Sequence, residues 1–112
     1  MEAQALLIAH LARELAVPCS ALVPRERPPE FLTVERTGGP CDEFTDSAQL
    51  AVQCWAGDYQ AARSLALGAR EAMRSFGDLD EVALASCESM YPFPGEGGEP
   101  RWQLTVSAEV YM

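Results

Sequence analysis

Between Asp46 and Trp55 hydrophobic and polar side chains alternate with a period of two. Ala48, Leu50, Val52 and Cys54 fall on one side, and Gln49, Ala51, Gln53 and Trp55 on the other. That spacing predicts a half-buried strand, because successive strand side chains point to opposite faces. Residues 101–111 repeat the pattern. Trp102, Leu104, Val106, Ala108 and Val110 are expected inward, with Arg101, Gln103, Thr105, Ser107, Glu109 and Tyr111 outward. Residues 31–36 form a third such segment, with Phe31, Thr33 and Glu35 opposite Leu32, Val34 and Arg36. Residues 82–91 read as a fourth strand, and residues 19–23 as a short one ahead of Pro24.

In two places the period shifts to that of a helix. Leu7, Ile8, Leu11 and Leu15 predict a helix over residues 3–16, stopped by Pro18, whose ring cannot continue the ladder. Asp58 after Gly57 predicts the N-cap of a second helix running to about Phe76. Gly77 is suited to a left-handed C-terminal cap. Ala61, Ala62, Leu65, Ala69, Ala72, Met73 and Phe76 make the inner stripe, and the small alanines allow close approach to a sheet. Gln60, Arg63, Ser64, Arg70 and Arg74 lie outside, and Leu67 is the apolar exception among them.

Between these elements the punctuation is strong. Residues 24–30 hold Pro24, Pro28 and Pro29 and read as an extended connection; residues 37–40 are a turn. Residues 92–100, with three prolines and three glycines, are a loop. The expected order is α-β-β-β-α-β-β. This is an α+β fold, with a mainly antiparallel sheet of about four to five strands and two helices on one face. At 112 residues it is expected to be one domain, spanning 1–112.

Charge narrows the partners. Seventeen acidic residues face eight basic ones, all arginine, for a formal net charge of −9. Affinity for nucleic acid comes from cations that neutralise phosphates, so binding to DNA or to an anionic membrane is not expected. Cys19, Cys41, Cys54 and Cys87 include no C-x-x-C pair and are expected to be free thiols. The first residues carry no basic, apolar leader pattern, and no apolar run approaches the ~20 residues of a membrane span. A soluble, intracellular protein is the expectation.

Catalytic chemistry finds little to stand on. His10 is the one histidine, expected on the surface of the first helix, and no G-x-S-x-G elbow is present. The glycines at 38–39 and 95–98 lack the strand-loop-helix setting and the lysine of a phosphate cradle. Asp42, Glu43 and Asp46, and likewise Asp78, Asp80 and Glu81, lack the ligand spacing of a calcium loop and read as solvated charge. Neither enzymatic activity nor a metal or cofactor is expected.

Several local signatures, taken in order, resemble the tail terminator (tail completion) proteins of long-tailed bacteriophages. An N-terminal helix is followed by the proline-bearing segment 22–29. A strand ends in Val34-Glu35-Arg36-Thr37-Gly38-Gly39, and the strand 49–54 closes on Trp55-Ala56. Tyr59, Ala61 and Ala62 then lead into an alanine-rich helix. Finally Tyr91-Pro92-Phe93-Pro94 precedes Arg101-Trp102-Gln103-Leu104-Thr105-Val106. The chain departs from that family in its shortness and its four cysteines.

The resemblance implies a structural virion protein, with no catalytic residue and no cofactor. Such proteins form a ring, usually of six subunits, at the head-proximal end of the tail tube. The ring ends tube polymerisation and joins the tail to the neck. Implied partners are copies of the chain, the major tail tube protein and a head-tail connector or stopper protein, with DNA passing through unbound. Trp55, Leu67, Tyr91, Phe93 and Arg101 are the expected interface anchors, with Trp55 and Tyr91 open to a core reading as well. Asp42, Glu43, Asp46, Glu96 and Glu99 are expected at the lumen or on an axial loop formed by residues 37–46. The competing readings are another neck or head-completion ring protein and a cellular α+β binding domain.

Overall fold

The computed structural model describes residues 2–40 and 42–112. The elements are α1 (Ala3–Leu15), β1 (Cys19–Ser20), β2 (Phe31–Gly38), β3 (Thr45–Trp55), α2 (Tyr59–Phe76), β4 (Val82–Pro92) and β5 (Arg101–Tyr111). The five strands form one sheet in the order β1-β2-β3-β5-β4, with every pairing antiparallel except β1 with β2. The fold is therefore the α+β arrangement expected from the sequence.

Both helices lie on the same face of the sheet. Leu7 and Leu11 of α1 and Ala66, Ala69, Met73 and Phe76 of α2 pack on Leu32, Val34, Leu50, Val52, Leu104, Val106 and Val110. The inward set of β5 is as its alternation predicts, except that Trp102 at the strand's start is only partly covered. The alanines bring the helices close. At Gly68 a side-chain methyl would lie 3.1 Å from Leu15 Cδ2, where α2 meets the end of α1.

Helix ends show how the local rules were met. Asp58 caps α2, accepting from Ala61 N at 2.7 Å. The left-handed cap expected at Gly77 is absent, since Gly77 has φ −65° and ψ −16°. The last turn instead tightens, with Asp78 N donating to Ser75 O and Leu79 N to Phe76 O. The left-handed residue is Ala16 (φ 55°), which ends α1 before Pro18 can.

Two titratable groups expected at the surface are buried, and so is Gln103, expected outward on β5 and covered within the polar row of the other face. His10, expected outward, is only 2% exposed, because α2 covers that side of α1. Arg13 donates to its Nδ1, and its Nε2 lies 3.0 Å from Ala72 O and 2.9 Å from Ser75 Oγ. Asp46, expected as solvated loop charge at a lumen, is 1% exposed. Its Oδ2 accepts from Ala3 N at 2.9 Å, at the start of α1 where the helix dipole favours an anion. Arg36 Nη1 reaches Oδ1 at 2.7 Å as an ion pair without hydrogen-bond alignment. Burial alone pushes the Asp46 carboxyl up; the Ala3 N–H and Arg36 outweigh it and hold the group below its ordinary value.

The strands also run further than expected into the 37–46 loop. β2 continues through a bulge between Arg36 and Gly38, and β3 begins at Thr45, which leaves residues 39–44 as the connection. Gly39 is required there. Its φ is +100°, and a Cβ would fall 2.0 Å from Ser47 O.

Candidate interaction surface

The helix-free face of the sheet starts from residues that alternation marks only as outward. Register places Thr33 beside Gln53, Gln53 beside Gln103, and Gln103 beside Tyr91. These four side chains, one from each of β2, β3, β5 and β4, form a single hydrogen-bonded row across the sheet. Thr33 Oγ1 donates to Gln53 Oε1 at 2.9 Å, and Gln53 Nε2 to Gln103 Oε1 at 3.0 Å. Gln103 Nε2 donates to Tyr91 OH at 2.6 Å, and Trp55 Nε1 to Thr33 Oγ1 at 3.1 Å. Thr33 and Gln103 are buried, and the row gives each a partner where water is excluded. Nearer the other end of the face, Ser89 bonds Thr105 and Ser107 bonds Glu88.

One end of this face is roofed by loops. Phe31 stacks on Trp55 at 5.3 Å between centroids, and the guanidinium groups of Arg27 and Arg101 lie 5.3 and 4.8 Å from the Trp55 ring. Arg101 also donates to Phe93 O and Pro94 O, fixing the 93–100 loop. Arg27 joins that loop to the proline-rich connection through Glu99 at 3.0 Å. The Glu99 carboxyl is held below its ordinary value by its own backbone N–H and by Arg27.

This geometry sorts the expected interface residues. Trp55, Tyr91, Phe93 and Arg101 do come together, and Tyr91 and Phe93 meet edge to face at 5.9 Å. Trp55 is 6% exposed and belongs to the interior, so it cannot serve as an exposed anchor. Its position at the strand end, under the guanidinium groups of Arg27 from the proline-rich connection and Arg101 from β5, is why. Tyr91 and Arg101 are half-buried; Phe93 is exposed. Leu67 sits apart on α2, half-buried in the helical layer. Of the acidic set, Asp42, Glu43 and Glu96 are exposed, Asp46 is interior and Glu99 is engaged by Arg27. Asp42 accepts from Phe44 N and Thr45 N, which lowers its carboxyl below the usual range.

Exposed hydrophobic residues, of which the sequence reading had placed only Tyr111 outward, mark the rest of the surface. Leu22 is 80% exposed beside β1, at one lateral edge of the sheet. Leu84 is 62% exposed on β4, at the other. Phe44, Tyr111 and Met112 are exposed together at one end, where Met112 N donates to Phe44 O. A groove of about 230 Å³ opens on the helix-free face between Gly39-Pro40 and Leu84. Leu84 lies in the apolar run 82–85, where a register irregularity between Val82 and Leu84 turns it out, and Leu22 follows a two-residue strand in the run 21–23; neither run alternates, so neither gives a periodic signal of exposure.

The thiols are quiet. Burial raises the Cys19 pKa to about 12 and also raises those of Cys54 and Cys87; all three are free, and Cys41 lies outside the described residues. Among the described residues no three His, Cys, Asp or Glu side chains converge as a metal site requires, and no helix is long and apolar enough to cross a membrane. No protein-family model matches the chain, and no curated protein is significantly similar to it.

Proposed function

We propose that the chain is the subunit of a phage tail-terminator ring, which caps the head-proximal end of the tail tube and joins it to the neck. The resemblance in residue order motivates the reading, and the sheet's lateral edges carry it structurally. Among the described residues β4 has no strand on its outer side along 11 residues. At the opposite edge β1 covers β2 only at Leu32 and Thr33. Free edges are a liability in an isolated domain and an asset in one that stands side by side with its own copies. Repeating one head-to-tail contact around an axis closes a ring.

The helix-free face suits a channel or docking wall because its buried polar groups are already paired with one another. Such a face needs no apolar cover. In the ring, Asp42, Glu43 and Glu96 contribute exposed negative charge, which repels passing DNA and leaves it unheld. Asp46 and Glu99 take no part in that charge, since each is neutralised within the subunit. The 39–44 connection contacts the tube along its axis, the connector protein meets the opposite rim, and no cofactor is used.

Electron microscopy of particles assembled without the protein tests the reading. Overlong tail tubes are the expected result. Tails of normal length, unattached to heads, would place the protein in the neck, and normal virions would exclude both roles. A ring whose lumen is lined by arginine would overturn the repulsive channel.

A further inference from the structure

We propose that the contact between copies is a knob-in-groove joint, in which Leu22 and Val23 of one copy enter the groove beside Leu84 of the next. The knob lies beside edge strand β1, while the groove crosses β3 and β5 and reaches edge strand β4 at Leu84; two such different surfaces suit a head-to-tail contact, which a two-fold contact does not require. Leu22 and Val23 both project beside β1 with most or much of their surface in water. The groove is walled by Gly39, Pro40 and Leu84 and floored by Gln49, Ser107 and Glu109. Its volume of about 230 Å³ admits apolar side chains of that size.

Charge fixes the direction. Arg25 is exposed two residues beyond the knob, and among the described residues it makes no ion pair. Glu109 on the groove floor is equally without one. Seating the knob brings the unpaired cation of one copy toward the unpaired anion of its neighbour. Glu26 and Glu30 follow in the same connection with the opposite sign, so the charge match is carried by Arg25 alone. Two surfaces of one subunit that each lack a partner inside it are thus matched in size and in the sign of one unpaired charge. The joint rests on the ring reading for its symmetry, but it does not require the tail tube.

Sedimentation of the purified chain over its full soluble concentration range tests the joint. Leu22→Asp and Leu84→Asp alter exposed side chains, so both variants should keep the wild-type unfolding midpoint. Each alone should weaken self-association at least about tenfold. Mixed in equal amounts they should stop at a heterodimer, because one intact knob still meets one intact groove. Arg25→Glu and Glu109→Arg should each weaken assembly, and the double variant should restore it. A wild type that stays monomeric throughout, or a Leu22→Asp variant that assembles like wild type, overturns the joint. The tail-capping reading fails separately, if particles lacking the protein carry normal tails.

Discussion

The two faces of this one sheet are held by different physics. Against the helices, Leu50, Val52, Leu104 and Val106 gain stability by leaving water, and position matters more than partner. On the helix-free face, Thr33, Gln53, Gln103 and Tyr91 gain it by pairing, and each needs its particular neighbours in the row. Burial tolerates exchange of one apolar group for another of similar size; a hydrogen-bonded row does not, because a lost member leaves another unpaired. The covered face makes the fold, and the open face is finished in itself, its buried polar groups paired with one another.

The largest effect should come from the covered face. Leu50→Ala should cost about 3 kcal/mol, seen as a lower denaturation midpoint with unchanged slope. Asp46→Asn should follow at about 2 kcal/mol, since it removes the charge that Arg36 and the start of α1 depend on. Its pH signature has a definite sign. The Asp46 carboxyl is held below its unfolded value, so its contribution is present above about pH 4 and is lost as pH falls through the depressed folded value. Denaturation of wild type and variant at pH 6 and at progressively lower pH should therefore converge.

On the open face, Gln103→Ala should cost about 1–2 kcal/mol by leaving Gln53 Nε2 without its acceptor and Tyr91 OH without its donor. A double-mutant cycle with Gln53→Ala should show coupling, which independent surface residues would not. Glu99→Gln should be the mildest, leaving the midpoint unchanged, because a partly exposed ion pair adds little to global stability. Hydrogen exchange at Gly95 and Gly98, whose N–H groups close the loop, should nevertheless quicken. Each of these sharpens the contrast, and equal costs on both faces would erase it.

The covered face was legible in the sequence because burial writes a period. β5 begins and ends where its alternation does, and Asp58 opens α2 as its cap chemistry requires. The open face was not, since alternation labels Gln53 and Gln103 outward without saying that they meet. His10 and Asp46 were read as solvated because polarity alone does not show which partner excludes water. For His10 that partner is α2, 62 residues away at Ala72; for Asp46 it is the backbone of Ala3. The one signal within reach was Arg36, which shares the inward side of β2 with Leu32 and Val34 and so asked for a nearby anion. Leu22 and Leu84 were missed because each sits in a short apolar run without alternation, and the irregularity that turns Leu84 outward leaves no mark in the sequence.

Strand order has a temporal corollary. β5 follows every other strand along the chain, yet it lies between β3 and β4 and pairs with both. A polypeptide emerging from the ribosome can form the β2–β3 hairpin early, but β4 has no place to dock until residues 101–111 appear. Until then the side of β3 that β5 will cover stays open, so synthesis of residues 101–111 is the step that closes the middle of the sheet.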